Sequence, residues 1–151
     1  MLAENDTFLY HAFRSRKRTF LFQSIKNDAI VSFLSEKCSL TEAQIDTIML
    51  YQSEGDLKTK ASLRDKHKVS EGAFVRTLRQ GQKNIEACMH TFFLLQYLGL
   101  AGEGDLERLS RLGALISQVK DSAPDSETIE RLIVALEEFT QTFSHRQKLI
   151  V

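Results

Sequence analysis

Apolar residues recur every three or four positions through most of this chain, and short polar stretches separate the periodic segments. That spacing is the period of an amphipathic helix. A short helix is expected over 7–13 and a longer one over about 19–37, where Phe20, Leu21, Ile25, Ala29, Ile30, Phe33 and Leu34 supply the apolar side. Thr41-Glu42-Ala43-Gln44 reads as a capping box, with Leu40 and Ile45 placed to staple it. Ile45, Ile48 and Met49 predict the buried stripe of the helix that follows, and Gly55 its stop. A short helix fits 59–67. Ser70 caps another that runs through Ile85 and on towards Leu98, with Gly81 as a bend or a point of close packing. Two final stripes are Leu106, Leu109, Leu112, Ile116, Val119 and Ile129, Leu132, Ile133, Leu136, Phe139, Phe143. The turn between them, Ser122-Ala123-Pro124-Asp125, is short and predicts an antiparallel hairpin.

The expected fold is therefore all-α, with about seven helices: a central tri-helical segment and a C-terminal helical hairpin. Three regions follow from the breaks: an N-terminal helical extension over 1–39, a central domain over 40–100 and the hairpin over 101–151. Gly102-Glu103-Gly104-Asp105 forms the linker and helix cap. It has carboxylates where a phosphate loop would need a cation.

Composition agrees with this picture. The 151 residues contain one proline and are 42% hydrophobic and 26% charged, a globular balance that suits helices. Cys38 and Cys88 are isolated and form no C-x-x-C, which fits reduced, partly buried thiols in a cytoplasmic protein. The first residues lack the basic start and apolar run of a signal peptide, and no stretch is long enough to span a bilayer.

Net charge is zero, but the charges are not evenly spread. From Lys58 to Lys83 eight basic residues face only Asp65 and Glu71; from Glu103 to Glu138 nine acidic residues face four basic ones. On a helical wheel, Phe74, Leu78, Gly81 and Ile85 share one side of the helix after Ser70. Arg76, Arg79 and Lys83 share the opposite side, with Gln80 at its edge. A basic helix of this kind fits the DNA major groove, where Arg pairs with guanine and Gln with adenine. Ser70 at the helix start, with Lys60, Lys66 and Lys68, would hold phosphates. The basic run Arg14-Ser15-Arg16-Lys17-Arg18 reads as a solvated loop before it reads as a DNA arm.

The segment resembles the helix-turn-helix of sigma-factor region-4-type and related transcription regulators. Leu40-Thr41-Glu42, Leu63, Val69-Ser70-Glu71-Gly72, Phe74 and Leu78 carry the resemblance, over about a third of the chain. It implies a transcriptional role, with the helix after Ser70 as the reader of double-stranded DNA. Two positions depart from the family pattern: Arg64 stands where a small residue is usual, and Lys68 where glycine is usual. Regulators commonly dimerise, so the C-terminal hairpin is read either as the contact of a homodimer or as a unit packed within a monomer. The competing reading is a helical adaptor whose basic face meets an acidic protein partner. Catalysis has no residue set behind it: His11, His67, His90 and His145 are scattered, and no metal-ligand spacing or nucleophile elbow is present. No enzymatic activity, cofactor, metal or membrane partner is expected.

Overall fold

A computed structural model describes residues 27–64 and 69–145. The expectations placed on 7–26, including the Arg14–Arg18 run, and those placed on Lys66, His67 and Lys68 lie outside the described residues. The described chain is all-helical, as the apolar periodicity requires, with six helices: α1 (Ala29–Lys37), α2 (Glu42–Gln52), α3 (Leu57–Leu63), α4 (Glu71–Tyr97), α5 (Glu103–Asp121) and α6 (Ser126–His145). Two compact units divide it, one up to Ala87 and one from Cys88 onward. The division falls inside α4, whereas the composition changes later, at residues 100–104.

Local chemistry sets most helix ends. The helix expected to begin near residue 19 has its start at Ala29, because the Asp28 carboxylate accepts the N–H groups of Ile30 and Val31. The capping box of α2 is formed in full: Thr41 Oγ1 accepts from the Gln44 N–H, and Gln44 Oε1 accepts from the Thr41 N–H. Asp56 caps α3, which begins two residues earlier than the expected 59 and gives way at Arg64. Gly55, at φ +113°, supplies the left-handed turn between α2 and α3. After α4, Gly99 is also left-handed (φ +72°), and the Leu100 N–H returns to the Leu95 carbonyl.

In the first unit Leu50 of α2, Ala61 of α3 and Phe74 of α4 form the core, with Met49, Leu57 and Leu63 packed around them. The stripe expected for α2 needs correction. Ile45, Ile48 and Met49 are only half-buried, and the inaccessible positions are Gln44, Asp46, Thr47 and Leu50. Gln44 and Thr47 can occupy that interior because they are hydrogen-bonded: Gln44 serves the capping box, and the Thr47 hydroxyl donates to the Ala43 carbonyl at 2.6 Å, whereas the Oδ2 atom of Asp46 is buried and accepts no hydrogen bond among the described residues.

In the second unit α5 and α6 form the expected hairpin. Val119, Leu132, Leu136 and Phe139 are buried, while Leu109 of the expected stripe is exposed. Asp105 caps α5 by accepting from the Gly102 N–H at 3.0 Å, the capping role read for the 102–105 stretch. Asp125 accepts from the Thr128 N–H and starts α6. Cys38 and Cys88 are free thiols, but both are exposed rather than partly buried.

Candidate nucleic-acid interface

The candidate site lies on the first four turns of α4, in the first unit. Its inner side is fixed at three levels. Phe74 is fully buried and Leu78 nearly so. At Gly81 a Cβ would lie 3.0 Å from Ile48 Cδ1 and 3.3 Å from Gln44 Cβ, so α4 passes α2 where only hydrogen fits without displacement. One turn on, the Asn84 amide donates to the Ser39 carbonyl (3.1 Å) and to Gln44 Oε1 (3.2 Å), tying α4 to the start of α2. Ile85 does not continue the buried side; it is exposed.

A second fastening comes from α3. Arg64 Nη1 donates to Thr77 Oγ1 at 2.9 Å, and the Thr77 hydroxyl donates in turn to the Ala73 carbonyl. Arg64 is half-buried between α3 and α4, with its Nε enclosed and without a hydrogen-bond partner among the described residues, so the position where the family pattern places a small side chain is filled by a long one.

With that side fixed, the opposite face of α4 is presented to solvent. Arg76, Arg79, Gln80 and Lys83 are all exposed and line one open groove of about 770 Å³, together with Leu57, Glu71, Gly72 and Val75. Among the described residues none of the four makes a hydrogen bond or ion pair. Cations of the second unit behave differently: Arg111 pairs with Glu107, Arg131 with Glu127, and Arg108 lies over the Phe139 ring. Arg79 and Lys83 are one turn apart and Arg76 is three residues before Arg79. Like charges at such spacings disfavour a helix by about 0.2–0.5 kcal/mol per pair. The cluster thus works against local stability and leaves its donors unspent.

The expected phosphate-holding residues fare unequally. Ser70 Oγ accepts from the Ala73 N–H at 3.1 Å, capping α4, and its own hydrogen remains available to an anion. Lys60 has an internal role instead. Its Nζ donates to the Tyr51 carbonyl at 3.0 Å and lies 5.4 Å from the Tyr51 ring centre, closing the C-terminal end of α2. The residues missed from sequence are Arg64, Thr77 and Asn84. They are polar side chains without periodic signal, and their partners lie 13 to 45 residues away.

Among the described residues no group of three or more His, Cys, Asp or Glu is placed to hold a metal ion. No helix there is long and apolar enough to cross a membrane. Comparison with protein-family models, with curated proteins and with solved structures finds no match to this chain.

Proposed function

We propose that the chain is a non-enzymatic DNA-binding protein acting in transcription regulation, which lays the first turns of α4 in the major groove of duplex DNA. One observation carries the reading: four long hydrogen-bonding side chains, three of them cationic, stand together and unpaired on the outer face of a helix whose inner face is anchored. Arg76, Arg79 and Gln80 have the donor geometry to read base edges, and Lys83 adds positive charge beside them. Glu71, on the same groove, can accept from the cytosine amino group. The Ser70 hydroxyl and the start of α4 face a phosphate. Lys66 and Lys68 would add contacts to the DNA backbone. A homodimer would bring two such helices to two half-sites.

Fluorescence anisotropy with mixed-sequence duplex DNA tests this. The expected result is binding at low salt that weakens steeply as salt rises, because each phosphate contact releases condensed counterions. Absence of binding to any duplex at low salt would overturn the proposal and favour the adaptor, whose basic face would take an acidic protein partner.

A further inference from the structure

The second unit leaves one broad apolar face uncovered. The hairpin buries Val119, Leu132, Leu136 and Phe139, and Phe92 of α4 stacks on Phe143 with ring centres 6.3 Å apart. Leu95 is half-buried, but other large residues of this end of α4 are exposed. Tyr97 is 89% exposed, and Met89, Phe93, Leu94 and Leu98 are each about half exposed. Phe93 and Tyr97 follow Met89 at four-residue steps, and Leu94 and Leu98 form the adjacent row; Phe93, Leu94, Tyr97 and Leu98 fall within about 140° of one another on the helical wheel, with Met89 at the margin. Between Lys83 and Glu103 only Glu86 carries a formal charge.

We propose that this face is the contact between two copies of the chain. Large side chains of this kind carry roughly 150–250 Å² each, so Phe93, Leu94, Tyr97 and Leu98 at these exposures leave about 500 Å² bare on each copy. That is as large as the largest apolar patch of a typical monomer. A self-complementary contact removes about 1,000 Å² in total, the lower bound for a specific interface. Rows at four-residue spacing interdigitate with like rows on a second helix. A partner chosen by charge would find one carboxylate to hold, whereas a second copy brings a matching apolar row. The surface differs from the hairpin expected from sequence, whose central residues Val119, Leu132, Leu136 and Phe139 are buried and which leaves Leu109, Leu115 and Val134 about half exposed. The inference does not depend on DNA binding, since dimer formation is read without nucleic acid.

Sedimentation equilibrium of the full chain across a hundredfold concentration range tests it. Dimer is expected to form as concentration rises, and the double variant Phe93→Ser, Tyr97→Ser is expected to weaken it at least about tenfold while keeping the wild-type helical content. Hydrogen exchange of the unmodified chain at low and high concentration gives a second readout that requires no variant. Slower exchange around 89–98 at high concentration supports the interface. A chain that is monomeric throughout, a dimer indifferent to the double substitution, or protection confined to other segments overturns the proposal; the first of these would leave the face to a different apolar partner.

Discussion

Asp56 and Asp125 do the same work at two helix starts. Each carboxylate accepts the backbone N–H three residues on, from Thr59 at 2.7 Å and from Thr128 at 2.8 Å. The hydroxyls of Thr59 and Thr128, and after them these N–H groups, favour the charged form and hold both carboxyls below the usual aspartate range. A lowered folded pKa gives stability that is fully present above the unfolded value, about 3.9, and lost as pH falls through the lower folded value. Thermal melts below pH 4 should therefore show a loss to which both residues contribute. The Asp56→Asn variant should keep the α3 start, because its amide oxygen still accepts, and should show a shallower acid dependence than wild type. An unchanged acid profile would remove Asp56 from the account. These caps are written locally: the acceptor and its N–H are three residues apart, and such pairs are legible without a fold. The Arg64–Thr77 bond and the bonds of Asn84 are not, because these partners lie 13 to 45 residues apart.

At the scale of the helix, glycine shows how context reverses a propensity. Gly113 lies inside α5 with nothing within 4 Å of the place a Cβ would occupy, and Gly81 lies inside α4 against Ile48 and Gln44. Gly113→Ala should stabilise the protein by about 0.5–1 kcal/mol, the ordinary helix gain. Gly81→Ala must offset that gain against crowding and should not reach it. Gly81→Leu should cost about 1–3 kcal/mol by overpacking. Denaturant midpoints of the three variants check the order; an equal gain from both alanines would mean that α4 and α2 are not in close contact there. Periodicity predicts both helices and assigns Gly81 to the buried side of α4, but the wheel also placed Ile85 there. The wheel extends a stripe indefinitely. The actual stripe ends where α2 ends its cover, and Asn84 occupies that boundary.

For the whole molecule, zero net charge gives no general attraction to nucleic acid, so any affinity must come from a local group of cations. The basic middle and acidic later segment of the sequence fall largely into different units. On the proposed function, replacing Arg79 with Ala should cost about 1–3 kcal/mol on a preferred sequence, and replacing Lys66 with Ala should lower the salt slope of DNA binding by about one. Replacing Arg111, which already pairs with Glu107, should leave the slope unchanged. Equal effects from Lys66 and Arg111 would point to diffuse attraction in place of a groove contact. The all-helical class, the capping box, the C-terminal hairpin and the two-sided character of α4 were determined by the sequence alone, because each depends on residues within one or two turns of one another. The tertiary structure decided that Lys60 closes α2, that Gln44, Asp46 and Thr47 fill the interior of that helix, and that the apolar end of α4 stays bare. Those outcomes depend on which surfaces meet, and a side chain's burial is set by neighbours that the linear pattern does not specify.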